Sequence, residues 1–186
     1  MSRLEPLAPR DLDRHQQALY DAITTGPRAG SGLTTAQGTL RGPFDALLRS
    51  PSVGQAVQEL GSVLRYGGAL PDDLRELAIL VAAAHWRCAF ELDVHGGLAI
   101  RAGLAQEVVD ALREGRPTRP TAGTAQRIVH DAARELLETH RMRQRTYTEL
   151  VDTVGVEQVV ELLAVLGYYT LLAMILESFE VRSDQA

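Results

Sequence analysis

The chain of 186 residues has one cysteine, Cys88, which excludes an intramolecular disulfide and a cysteine-built structural zinc site. A reducing compartment fits such usage. Aromatic side chains are scarce, at 5% of residues. The core must therefore come from Ala, Leu and Val, a composition that favours helices over strands. No trustworthy strand alternation, useful internal repeat or block of like charge is present. The longest apolar run, Leu162 to Leu176, holds fifteen residues between Glu161 and Glu177. A membrane span needs roughly 20, so this run reads as a buried helix. Met1 to Arg14 lacks the apolar segment of a secretory signal. A cytoplasmic protein with no membrane partner is expected.

What is present points the same way. Formal charge is −5, from 19 basic and 24 acidic residues, and the basic residues are arginines spread along the chain. A general nucleic-acid binder needs a basic face, so no nucleic-acid partner is expected. Hydrophobic residues make up 45% of the chain, as in ordinary globular proteins. The length suits one all-helical domain over residues 1–186, large enough to bury a core without staples.

Apolar spacing predicts a helix over Leu12 to Ile23, with Asp11 as its N-cap. Gly26 to Pro43 is rich in glycine and reads as a loop. Its length exceeds that of most connections, and long loops are often functional. It lacks a phosphate-cradling glycine motif. Phe44 to Leu48 and Val53 to Tyr66 follow as helices, the second ended by Gly67 and Gly68. Pro71, Asp72 and Asp73 start the next helical stretch, which runs to Arg101. One long helix and a hairpin are both open there, with His85–Trp86–Arg87 as the natural break. Gln106 to Leu112 is a short helix, and Gly115 to Gly123 is a loop. Helices are then expected over Ala125 to His140, Thr146 to Val151 and Val156 to Val181, with Asp184 to Ala186 frayed. The layout is helices packed on helices.

The run from Cys88 to His95 (CAFELDVH) carries the chemistry. On a helix, Cys88, Glu91 and His95 fall within roughly 60° of one another. A thiol, a carboxylate and an imidazole then share a face, and Glu91 and His95, four apart, can meet. The carboxylate would orient an imidazole that titrates near neutral pH, and a thiol at a helix start has its thiolate favoured. The alternative is an ordinary exposed Glu–His pair beside a small buried cysteine. The spacing matches no zinc motif, and no metal is expected. Glu76 is either half of a surface pair with Arg75 or a proton-relay partner. His85 and Trp86 form either a pocket wall or a helix-end packing cluster. Tyr168 and Tyr169 sit in an apolar helix, where a buried hydroxyl needs a partner. Arg41 and Arg87 are candidates for holding a substrate carboxylate, against the plainer reading of solvated arginines. His15, His130 and His140 read as surface residues.

Four segments, Leu70 to Leu80, His85 to His95, Ala99 to Leu104 and Glu107 to Leu112, resemble the core of the carboxymuconolactone decarboxylase and alkyl-hydroperoxidase D superfamily. The hydroperoxidase branch carries a glutamate, a C-x-x-C pair and a histidine four residues later. Glu76, Cys88 and His95 match three of these positions, and Glu91 stands where the second cysteine would be. Gly42 to Phe44 and Leu166 to Met174 resemble members without the cysteine pair. The likeness covers about residues 40–180. It implies an all-α helical bundle completed by neighbouring subunits, as a trimer or hexamer.

A two-cysteine peroxidase cycle needs a resolving thiol, which Glu91 cannot supply. A one-cysteine cycle at Cys88 needs an external thiol. The decarboxylase branch uses no redox cysteine and carries a Glu-x-x-x-His pattern that Glu91 and His95 fit. The resemblance thus implies a cofactor-free acid/base enzyme acting on a small organic acid or lactone. Its catalytic set is Glu76, Cys88, Glu91 and His95, and its substrate-binding set is His85, Trp86, Tyr168 and Tyr169. A one-cysteine hydroperoxidase and a non-catalytic ligand-binding oligomer are the alternatives.

Overall fold

A computed structural model describes residues 2–30, 32–121 and 124–183. The expected fraying of Asp184 to Ala186, and positions Ser31, Ala122 and Gly123 of the two loops, lie outside these residues. The architecture is all-α. A 3-10 turn at Pro9–Asp11 precedes α1 (Arg14–Thr25), α2 (Pro43–Leu47), α3 (Pro51–Tyr66) and α4 (Asp72–Trp86). These are followed by α5 (Ala89–Arg101), α6 (Gln106–Arg113), α7 (Thr124–Thr139) and α8 (Gln144–Ser178). Among the described residues, an isolated antiparallel bridge, Thr34 to Leu40, lies in the glycine-rich loop. The chain falls into two compact units, Met1–Gly68 with Met174–Ala186, and Ala69–Ala173.

In the first unit, Asp13 and not Asp11 caps α1. Its carboxylate accepts from the backbone of His15 and Gln16, and Gln16 reaches back to the Asp13 amide at 2.9 Å. This capping box satisfies donors that Asp11, drawn into the preceding 3-10 turn, cannot reach. Leu19 and Ile23 of α1 are buried, and α1 packs on α3.

That contact is close at Gly54. A Cβ there would sit 2.5 Å from Leu19 Cδ2 and 2.8 Å from the Leu47 carbonyl oxygen. Gly54→Ala is therefore expected to destabilise the protein by about 1–2 kcal/mol, overpacking outweighing the helix propensity that alanine gains. The urea midpoint measures it, and an unchanged or raised midpoint contradicts the packing.

In the second unit, α4 is buried from Leu74 through Ala83. A helix apolar on every side belongs inside, and α5, α6 and α7 all pack against it. Its helical path stops at Arg87, which takes a left-handed conformation at φ 52°. Cys88 is the N-cap of α5. The stretch is thus a hairpin, broken at the end of the His85–Trp86–Arg87 cluster.

Beyond α5, Gly103 turns the chain at φ 107°. Glu135 of α7 accepts from the backbone amide and Nε of Arg143, both at 2.8 Å, and from Thr146 Oγ1 at 2.6 Å. The Arg143 guanidinium, then Thr146 and the amide, hold its carboxyl down to about 2. Helix α8 is interrupted at Gly155, whose φ of 81° and ψ of 161° are not helical. The two helices expected around that glycine are accordingly both present. By length and composition α8 is apolar enough to cross a membrane, a test that a core helix also passes, and half of its most apolar window is buried.

Candidate active site

Helices α4 and α5 run back past each other, which brings Glu76 to His95, nineteen positions away in sequence. Glu76 Oε2 lies 2.7 Å from His95 Nδ1. Glu91 Oε2 lies 3.3 Å from His95 Nε2, across one turn of α5. Both ring nitrogens thus face carboxylate oxygens. Glu76 and Glu91 are 3% exposed and His95 2%. The surface-pair reading of Glu76 is excluded by this burial, and Arg75 pairs instead with Asp72 at 2.8 Å.

Burial alone would push the imidazole toward its neutral form. The hydrogen bonds to Glu76 and then Glu91, with their charges, outweigh burial and raise the His95 pKa above its ordinary value. An imidazolium between two carboxylates donates from both nitrogens. No group of three or more His, Cys, Asp or Glu among the described residues is arranged to hold a metal ion.

Helix α8 covers this site. The Tyr169 ring meets the His95 ring edge-on at 5.0 Å, and Tyr168 meets Tyr169 edge-on at 5.3 Å. Both tyrosines are buried. The Trp86 indole donates to Thr170 Oγ1 at 3.2 Å. Glu161 of α8 accepts from the amides of Ala69 and Leu70, at 2.9 and 2.7 Å, just ahead of α4.

Cys88 is fully buried and stands one residue before α5, with φ −80° and ψ 94°. Helical phase therefore relates Glu91 to His95 but does not extend back to the cysteine. His85 is not part of this cluster. It is exposed at the end of α4, its ring edge-on to Trp86 at 6.0 Å. Helical geometry puts it about 180° around α4 from Glu76. Arg87, at the hairpin turn, is exposed as well.

The surface reading of His130 is overturned. His130 is no surface residue but 1% exposed. It sits on a helix whose buried face extends from Glu135 round through Ala133 to His130 and takes in more than half the circumference. The nearby Leu137, about 20° away on the helical wheel, was the available signal that position 130 turns inward. His15 and His140 are exposed as expected.

Residues 51–126 match the model of the carboxymuconolactone decarboxylase family. Over this segment the chain is similar to that family. The matched segment runs from the start of α3 into α7 and contains Glu76, Cys88, Glu91 and His95.

Solved structures share the fold. An AhpD-core peroxidase-related protein from Ralstonia eutropha JMP134 aligns with a TM-score of 0.76 at 16% identity, over 97% of this chain and 91% of that one. A peroxidase-related protein from Silicibacter sp. TM1040 gives 0.72 at 13%, again over 97% and 91%. The debrominase Bmp8 gives 0.69 at 14%, over 95% and 89%. At such identities the likeness concerns the fold alone. No curated protein sequence matches the chain.

Proposed function

We propose that this chain is a member of the carboxymuconolactone decarboxylase superfamily and a cofactor-free acid/base enzyme acting on a small organic acid or lactone, with decarboxylation as its leading reaction. The observation that carries this reading is the buried His95 ring held between Glu76 and Glu91, at 2.7 and 3.3 Å. Loss of carbon dioxide from a carboxylate leaves an electron pair on carbon, and that carbon must gain a proton. A protonated His95 supplies one. Glu76, at the shorter distance, orients the ring through Nδ1. Glu91 shares the proton at Nε2, the freer side, and passes it toward the substrate. The neutral imidazole is then reprotonated from water. Tyr168, Tyr169 and Trp86 form the wall against which the substrate packs.

A second reading rests on Cys88, whose place at the N-cap of α5 favours thiolate. A hydroperoxide would oxidise it to a sulfenic acid, releasing an alcohol. Two equivalents of an external thiol would then return it to thiol, yielding water and a disulfide. The full burial of Cys88 and the carboxylates already on both His95 nitrogens favour the first reading.

Cys88→Ser separates the two. Carbon dioxide release from a panel of small lactone and unsaturated acids is expected to survive this change. The reading is lost if no acid in the panel is turned over while hydroperoxide consumption with added thiol is present and disappears in the variant.

The same proposal includes a homo-oligomer, the trimer or hexamer that the resemblance implies. Val156, Val160, Leu163, Leu171 and Met174 are exposed along α8. Their spacing places them within roughly 80° of arc on that helix, a continuous apolar row that a second copy would cover.

A further inference from the structure

The second unit contains a cavity of about 260 Å³ that none of Glu76, Cys88, Glu91 and His95 lines. Helix α4 forms one wall through Val81 and His85. These lie roughly 140° and 180° around the helix from Glu76, so the cavity sits on the opposite side of α4 from the acid/base cluster. Leu112 of α6, helix α7 and the 115–118 connection form the rest.

The lining divides by chemistry. Val81, Leu112 and Leu137 give it an apolar wall, while Arg116 and Arg134 bring positive charge and Glu138 one carboxylate. Each arginine already bonds one carboxylate, Arg116 that of Glu114 and Arg134 that of Glu138. A guanidinium has five N–H donors, so both keep donors for a further anion.

His130 also lines the cavity and is 99% buried, being 1% exposed. Its Nδ1 lies 3.3 Å from Asp131 Oδ1, and no protein group reaches its buried Nε2. Asp131 is itself tied to Arg119. Burial pushes the imidazole below its ordinary pKa, and Asp131 offsets this only in part. The ring is therefore neutral near pH 7. With a carboxylate at Nδ1, the proton sits on that nitrogen, and Nε2 is left as an acceptor. The His130 side chain borders the cavity, and a donating ligand that reaches its partnerless acceptor would satisfy it.

We propose that this cavity is a ligand site, independent of the acid/base cluster, for a small one-ring hydroxy acid. The hydroxyl donates to His130 Nε2, the ring lies on Val81, Leu112 and Leu137, and the carboxylate meets Arg116 and Arg134. The three parts match a donor-seeking nitrogen, an apolar wall and a pair of cations with free donors. A purely apolar guest leaves His130 unsatisfied.

Calorimetric titration of the full chain with 4-hydroxybenzoate, benzoate and phenol tests this. 4-Hydroxybenzoate is expected to bind roughly tenfold more tightly than benzoate, which lacks the donor, or phenol, which lacks the anion. His130→Phe should bring 4-hydroxybenzoate down to the benzoate level while leaving benzoate unchanged. Arg134→Gln, a change at an exposed position, should remove the preference over phenol. If His130→Phe does not fold, the wild-type protein still decides. The Nε2 resonance of ¹⁵N-labelled His130 must shift on adding 4-hydroxybenzoate and not on adding benzoate. Equal affinity for 4-hydroxybenzoate and benzoate, an unmoved His130 resonance, or no saturable binding of any probe overturns the proposal.

Discussion

His95→Gln is expected to lower kcat on whichever small acid the protein turns over by about 10²–10⁴-fold, the range for losing a positioned acid or base. Glutamine keeps a comparable volume and offers an amide donor, but it holds no transferable proton. KM should move far less than kcat, because the ring is buried beneath Tyr169 and acts on the reacting proton more than on substrate binding. The pH profile carries a second signature. His95 works in its protonated form, and its pKa is raised. The rate should therefore hold a plateau at low and neutral pH and fall as pH rises through that elevated value. Removing the first carboxylate, by Glu76→Gln, should shift this falling limb to lower pH, since Glu76 is the foremost group raising the pKa. Stability follows the same sign. The contribution from a raised histidine is complete below the unfolded value near 6.5 and is lost as pH rises through the folded one. A rate independent of His95, or a limb unmoved by Glu76→Gln, contradicts the proton relay.

The helices were largely readable from period and punctuation, for identifiable reasons. Prolines stand at the start of α2 and α3 and just ahead of α4, and glycines follow α3 and α5. Gly155 stands between two apolar stretches, and its non-helical φ and ψ divide α8 into the two helices that the sequence predicts. The break between α4 and α5 was less clear. Arg87 has no glycine to announce a left-handed turn, and its φ of 52° is set by the hairpin around it. The cap of α1 was misplaced by two residues because Asp11 and Asp13 are equivalent by residue type. Gln16, three residues on, is what selects Asp13.

The candidate site was legible only in part, and the limit is geometric. Spacing of four carries the Glu91–His95 pair, since one turn of helix brings them together. The stronger partner, Glu76, lies on another helix, and only a fold, known or recognised by resemblance, joins positions nineteen apart. His130 escaped because histidine beside Asp131 looks like a surface pair. A buried helix face more than half a turn wide contradicts the usual expectation of a narrow apolar stripe. The orphaned Nε2 has no counterpart in sequence at all, since it depends on what fails to arrive from neighbouring elements.

Glu76→Ala is expected to destabilise the protein by about 3–5 kcal/mol, the cost of leaving a buried charge without its partner. Three ionisable groups stand together here with 2–3% exposure. Removing Glu76 takes away the 2.7 Å contact at Nδ1 and leaves that nitrogen facing an apolar void beside α4. The converse experiment gives the prediction its force. Desolvating three charges costs several kcal/mol for each, and their mutual attraction roughly offsets that cost. Replacing all of them by apolar residues of similar size, as Glu76→Leu, Glu91→Leu and His95→Leu together, is therefore expected to recover most or all of the lost stability. It should abolish turnover. Guanidinium midpoints for wild type, single and triple variants measure the first part, and the activity assay measures the second. If the triple variant is less stable than Glu76→Ala, the cluster holds the fold together and its burial needs no chemistry to explain it. If stability returns while activity is gone, the charges are present at no structural benefit, and proton transfer is the reason for burying them.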